Sequence, residues 1–491
     1  MTQPGLATLL LTTRRVLDAP WGVDRLARRS VAAALVGLAV LAGGCTLEPP
    51  GAADERAKLG EHGLAYERPL AERQLPAIAT QPDWQDVLQR AFLADGDLEA
   101  AWFQWQAAVS RIQIESAYPN TNIQIGFSFM FSKEKMKAWD RTTVSAGFDP
   151  SMMLQLPVKV QQAGRVALAE AQAMGLRFAA AKFALQQKVL AAWFDYTLTA
   201  EKLRIQEQNA ELLRMIADIA AQRVRAGSPQ QDLLKAQTEY EVAVNEQANL
   251  AADLRTMRAA LNGLLARPAD AALPPPAVLP GPRPVPADDA RLLAAAVDLN
   301  PELAALAKEA AGRAEILVQA QLAYLPDFAP EITINGGISQ AIGAMISFPL
   351  ALPKIEGAIK ESEALLRASE ATARQARSDR FGSFVATLVA LRNNERQVKL
   401  FQDVILPQAR KVLASSQQAY VGGTLAFADL IDSQRTLLSI HTLIAEARIA
   451  REKRLVELEA LAGLDIETLA GGPKSGPTSR PTSRPAGSEE P

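Results

Sequence analysis

Between Pro157 and Pro229 the chain contains no proline, and apolar residues recur through the stretch at helical spacing. From Gly164 to Ala226, at about 1.5 Å per residue, one continuous helix would span on the order of 90 Å. No compact core needs an element of that length. Gly227 interrupts it, and beyond the turn Leu233, Ala236, Tyr240, Ala243, Gln247, Leu250, Leu254, Met257, Leu261 and Leu264 repeat at intervals of three and four. That spacing is a coiled-coil seam, so the segment folds back as a long helical hairpin.

The hairpin is present twice. Asp232 to Gln237 follows Gly227, and Asp429 to Gln434 (Asp-Leu-Ile-Asp-Ser-Gln) follows Gly423. Behind the second turn, Leu430, Ser433, Leu437, Ile440, Ile444, Ala447, Arg451, Arg454, Leu458 and Leu461 hold the same register, with two arginines interrupting it. Upstream, helical segments near Trp84 to Ser116 and from about Asp288 to Leu322 end at Tyr118-Pro119 and at Tyr324-Leu325-Pro326. Short β-prone runs follow each: Asn122 to Phe131 and Thr143 to Val158, then Glu331 to Asn335 and Ala344 to Leu350. Ile123, Ile125, Phe127 and Phe129 alternate with period two, as do Ile332 and Ile334, which is the mark of strands. The sequence therefore predicts a mainly α chain with a small β part, built by internal duplication.

The predicted organisation is a signal peptide over 1–44, an extended strap over 45–82, a first repeat over 83–267, a proline-rich linker over 268–287, a second repeat over 288–469 and a disordered tail over 470–491. Arg25, Arg28 and Arg29 precede an apolar run from Val31 to Leu41, too short to cross a bilayer as a helix, and Ala42-Gly43-Gly44 leads into Cys45. This is a lipobox-like site that makes Cys45, the only cysteine, the candidate lipid-bearing N-terminus. Thr46 follows it, where an aspartate would signal retention at the inner membrane.

Composition narrows the function classes. With 52 basic and 54 acidic residues the formal charge is −2, which gives nucleic acid no electrostatic footprint. The two histidines, His62 and His441, and one cysteine leave little from which to build a metal cage, a Cys–His nucleophile or a disulfide. No phosphate loop or nucleophile motif stands out, so no enzyme, cofactor or metal centre is expected. Four short strands cannot close a barrel alone, since the smallest membrane barrels have eight, and lipid does not tolerate an open sheet edge. Strands must be pooled between chains, and three copies supply twelve.

The duplicated plan, Cys45, Tyr420-Val421-Gly422-Gly423-Thr424 followed by Asp429-Leu430-Ile431-Asp432, Ile405-Leu406-Pro407-Gln408-Ala409 and Asn300-Pro301-Glu302-Leu303 together resemble TolC-type outer-membrane efflux proteins. The similarity is closest to the lipoprotein branch serving resistance–nodulation–division pumps. It implies a homotrimer with a 12-stranded β-barrel in the outer membrane and a trimeric α-barrel in the periplasm. Such a duct exports small molecules or metal cations for an inner-membrane pump, reached through a periplasmic adaptor. By the same resemblance, the tips Val224, Arg225, Gly227, Ser228 and Val421, Gly422, Gly423, Thr424 face the adaptor. Asp429 and Asp432, three apart on one helix face, line the pore entrance, and Tyr420 and Arg223 are gating candidates. On charge alone, and not from the resemblance, Arg223 or Arg225 is expected to pair with Asp429 across the hairpins. The usual arginine two residues after the tip glycine is Leu425 here. The alternatives are a coiled-coil periplasmic lipoprotein scaffold or an adaptor without its own pore. An adaptor would show one hairpin and more strands, and a scaffold would need no strands.

Overall fold

A computed structural model describes residues 47–466 except 64, 119–122, 132–134 and 149–153. Cys45, the expected signal segment and the expected tail lie outside the described residues. Within the expected extended strap, Ala52–Gly63 instead forms a helix, α1, which buries Ala52 and Glu55 against the next layer.

Each half then follows one plan. In the first, α2 (Trp84–Ala94) and α3 (Gly96–Glu115) precede strands β1 (Ile123–Phe129) and β2 (Thr142–Phe148), then α4 (Pro157–Arg225) and α5 (Gln230–Leu264). In the second, α6 (Asp289–Asp298) and α7 (Pro301–Gln321) precede β3 (Asp327–Asn335) and β4 (Ser339–Ser347), then α8 (Leu352–Leu400), a π turn at Phe401–Ile405, α9 (Leu406–Val421) and α10 (Phe427–Ala462). The single helices expected before each strand pair are broken in two, and a polar cap marks each break. The Asp95 side chain accepts from Leu98 N–H at the start of α3, and Asn300 accepts from Leu303 N–H at the start of α7.

Helix α4 begins at Pro157, seven residues before Gly164, because proline costs nothing in a first turn whose N–H groups have no helical partner. Its 69 residues reach about 104 Å. The twin run from Leu352 to Val421 is matched in length but carries Pro407 in mid-course. Pro407 offers no N–H to the carbonyl of Asp403 and its ring crowds that carbonyl, and the wider π turn lies across this position.

Every predicted seam position of α5 is buried or half-buried, as is every one in α10 except Arg454, which lies exposed beside Glu457. Arg451, expected to interrupt the seam, is instead buried and ion-paired with Glu452 at 2.5 Å and Glu395 at 3.1 Å. The same cluster holds Arg283 of the linker, 3.2 Å from Glu452 and 3.1 Å from Glu459, and Arg392, 2.7 Å from Asp289. These pairs tie the proline-rich connection onto α8 and α10, and Leu273 and Leu279 bury its apolar side chains. Helix α10 buries residues on several faces because α4, α8 and α9 all pack on it. Helix α5 buries one stripe and leaves Leu234 and Val242 exposed.

Candidate functional site

The two ends of the elongated molecule carry its distinctive chemistry. At one end, the four strands form one antiparallel sheet in the order β1-β2-β3-β4. Its register aligns Ile125 with Ala146, Phe127 with Val144, Val144 with Ile334, Ala146 with Ile332, and Ile332 with Ile342. Because side chains alternate along each strand, this alignment gathers Phe127, Val144, Ile332, Ile342 and Ile346 on one face. The other face carries Gln124, Ser128, Thr143, Ser145, Glu331, Thr333, Ala341 and Gly343, polar or small, together with the apolar Met345. The apolar face is not covered within the chain: Phe127 is 72% exposed and Ile342 87%. Among the described residues, the outer edges of β1 and β4 have no partner strand. Such edges are pairing templates.

The second hairpin, 23 residues from Pro326 to Pro349 against 38 from Pro119 to Pro157, has the longer strands. β3 and β4 have nine residues each, about 31 Å at 3.4 Å per residue, against seven in β1 and β2, about 24 Å. The reason is its turn, since only Gly336, Gly337 and Ile338 separate β3 from β4. β4 also begins five residues earlier than Ala344, and of the expected run from Thr143 to Val158, β2 covers the part to Phe148, Leu154 bridges Phe328, and Pro157 and Val158 belong to α4.

At the other end the two helical turns are built alike. Gly227 has φ +98° and Gly423 φ +78°, conformations that favour glycine. After each, the following amide reaches back five residues: Ser228 N–H donates to the Arg223 carbonyl at 2.9 Å, and Thr424 N–H to the Ala419 carbonyl at 3.0 Å. Val224, Arg225, Gly227 and Ser228 therefore form one tip, and Val421, Gly422, Gly423 and Thr424 the other.

The structure brings Arg223 and Tyr420 together across the tips. The Arg223 Nη1 donates to the Tyr420 carbonyl at 2.6 Å, and its guanidinium carbon lies 4.3 Å from the centre of the Tyr420 ring. Tyr420 is fully buried, edge-on to Phe427 at 5.6 Å, and its hydroxyl donates to Asp232 Oδ2 at 3.4 Å. Burial, with the neighbouring Asp232 carboxylate, raises the Tyr420 pKa against the opposing pull of Arg223. The predicted pairing of Arg223 with Asp429 is not formed in this chain: the guanidinium is committed to Tyr420. Leu425, which stands where an arginine was expected, packs against the apolar tip cluster of Ile216, Ala220, Leu413 and Phe427. Asp232, the twin of Asp429 in the repeat, has no site role in the sequence reading. It reaches Tyr420 across 188 residues of sequence, which no local spacing signals.

Asp429 and Asp432 are both exposed on the first turns of α10, and no ion pair is recorded for either among the described residues. Among the described residues there is no group of three potential metal ligands, and no helix is long and apolar enough to cross a membrane.

Residues 87–267 match the family model of the outer membrane efflux proteins. That match covers 181 of the 491 residues. A search of curated protein sequences returns no match. Among solved structures, the fold is similar to that of a membrane protein from Pseudomonas aeruginosa, with a TM-score of 0.65 and 17% identity over 80% of this chain and 92% of the other. The open state of the MtrE outer membrane channel of Neisseria gonorrhoeae gives 0.63 and 17% over 79% and 90%. The outer membrane protein VceC of Vibrio cholerae gives 0.63 and 15% over 78% and 96%. Coverage near four-fifths of the chain extends the likeness well beyond the first half. The chain thus has the fold of outer-membrane efflux channels, long helices joined to a small β part.

Proposed function

We propose that this protein is the outer-membrane duct of a tripartite efflux system, a passive homotrimer that exports small molecules or metal cations. The observation that carries the reading is the two-faced sheet with unpaired outer edges, joined to helices about 104 Å long. An apolar face with Phe127 and Ile342 open is suited to lipid, and a small polar face to a water-filled lumen. Three copies would pair β4 of one chain with β1 of the next and close twelve strands without an edge. The exposed apolar residues of α5 would then meet neighbouring helices in a long helical barrel.

In this reading the turns at Gly227 and Gly423 are the inner end of the duct and meet a periplasmic adaptor, which couples to an inner-membrane pump of the resistance–nodulation–division type. Three copies bring six carboxylates from Asp429 and Asp432 to the entrance, a ring that attracts cations. Arg223 clamped on Tyr420 holds the second tip against the first, and its release accompanies opening. Cys45 carries the lipid that adds a second attachment to the outer membrane. No step of chemistry is assigned to the chain.

Single-channel recording of the purified protein in planar bilayers tests this function. Long-lived ion conductance that multivalent cations block from the tip side supports the duct. A protein that inserts and never conducts, in the native form or with the tip released by Arg223→Ala, excludes it.

A further inference from the structure

A cavity of about 320 Å³ lies where α1, α3, α4 and α7 converge, far from both the sheet and the tips. Its volume is that of a small-molecule site. One wall is backed by a buried aromatic pair: Trp105 stacks on Phe178 with centroids 5.7 Å apart, each ring 3% exposed, and the exposed His62 ring lies 6.3 Å from Trp105 and 6.5 Å from Phe178. The floor depends on a glycine. A Cβ at Gly175 would sit 2.9 Å from the Trp105 ring and 3.0 Å from Glu55 Oε1, so any other residue would push into this space.

The charges around the cavity do not cancel. Glu55 is its one acid, and both oxygens are engaged: Oε1 accepts from Trp105 Nε1 at 3.0 Å and Oε2 faces Lys58 Nζ at 3.4 Å. Lys182 and Lys308 also line the cavity, and neither has a carboxylate at ion-pair distance among the described residues. The Lys182 ammonium is half-buried and lies 5.8 Å from the Phe178 ring centre and 5.9 Å from that of Phe92. Ring faces offset part of its desolvation but accept none of its three N–H donors in the manner of an anion. Burial accordingly lowers the Lys182 pKa, and burial together with Lys182 lowers that of His62. A half-buried cation, a second cation on the same cavity and a mostly apolar lining make a complementary surface for an apolar molecule bearing negative charge.

We infer that this cavity is a binding site for a small apolar carboxylate, its apolar body against Leu176, Ala179 and the His62 ring and its carboxylate toward Lys182 and Lys308. The site is in the wall of the helical region and is independent of the conducting path proposed above.

Calorimetric titration of the full-length protein in non-ionic detergent with 2-naphthoate tests the inference, with 2-naphthamide as the uncharged probe and detergent alone as the blank. One saturable site per chain is expected, with the amide at least tenfold weaker. Lys182→Gln should weaken 2-naphthoate at least tenfold. Lys308→Gln, at an exposed position, should weaken it about threefold, and it supplies the test if Lys182→Gln loses its native fold. Heat no greater than the detergent blank, equal affinity for acid and amide, or full affinity in both lysine variants would overturn the assignment. The first of these is also the result expected if a neighbouring subunit's own carboxylate fills the cavity.

Discussion

Removing the Arg223 side chain tests the tip contact most sharply. In Arg223→Ala the Tyr420 carbonyl keeps its bond from Gly423 N–H but loses the charged donor at 2.6 Å, and the Tyr420 ring loses the cation over its face. A hydrogen bond to a charged group contributes about 1.5–3 kcal/mol, and a cation–π contact about 0.5–1 kcal/mol where water reaches it. Arg223 is half-exposed, so the lower ends apply, and about 2 kcal/mol is lost from the closed tip. That amounts to about a 30-fold rise in the population of the opened turn, at 1.4 kcal/mol per factor of ten. Native-state hydrogen exchange reads it directly: the amides of Gly423 and Thr424, bonded to Tyr420 and Ala419, should exchange about 30-fold faster, while those in the middle of α4 should not change. Tyr420→Phe removes only a 3.4 Å contact to Asp232 and should accelerate the same amides less than about fivefold, an effect under 1 kcal/mol. Equal exchange in Arg223→Ala and the native protein would refute the assignment of Arg223 as the clamp.

Four further outcomes follow from the packing and the charges. Tyr66, buried with its hydroxyl donating to the Phe92 carbonyl at 2.8 Å, has its pKa pushed up to about 12 by burial. The folded state therefore holds a proton that the unfolded chain releases above pH 10, so stability is intact below pH 10 and falls by about 2 kcal/mol toward pH 12. Melting curves from pH 8 to 12 should show a steeper alkaline loss for the native chain than for Tyr66→Phe. On β4, Ile342→Lys places a charge on the apolar face and should cut outer-membrane assembly, at a cost of about 2–4 kcal/mol. Ala341→Lys, one residue away on the polar face, should assemble normally, and equal recovery of the two in membrane fractions would contradict the face assignment. Arg283→Met takes the linker's guanidinium from Glu459 and from Glu452, which keeps Arg451, and should cost about 3–5 kcal/mol, seen as a lowered thermal midpoint. Replacing Asp429 and Asp432 together with alanine should weaken block of conductance by multivalent cations, and unaltered block would remove both from the entrance.

The features legible in sequence were those with a long period or a repeated order. Two seams spaced by threes and fours, two glycine turns and alternating Ile125, Phe127 and Phe129 sufficed for hairpins and strands, because a helix or strand with one buried face writes that face into its spacing. What was hidden has local causes. Helix α1 sits among prolines and buries few residues, so it read as a strap. The first half of β4, Ser339-Gln340-Ala341-Ile342-Gly343, is mostly small and polar because only alternate positions face the apolar side, and of those two Gln340 is polar and Ile342 alone is apolar. Arg451 looked like a flaw in a seam because its partners Glu395 and Arg283 are far away in sequence. Arg223 and Tyr420 are each candidates from the tip pattern, but their contact spans 197 residues, and charge pointed instead to Asp429 as a partner for Arg223 or Arg225. Charge alone cannot choose between an exposed carboxylate and a buried aromatic face.

The central claim is that strands from several chains close one barrel. The measurement that tests it most directly is the native mass and particle outline of the mature protein purified from outer membranes in mild detergent. Three subunits in a tapered tube of roughly 100 Å or more, the reach of helices this long, are what the account predicts. A monomer, or a two-stranded rod without a lumen, would contradict it.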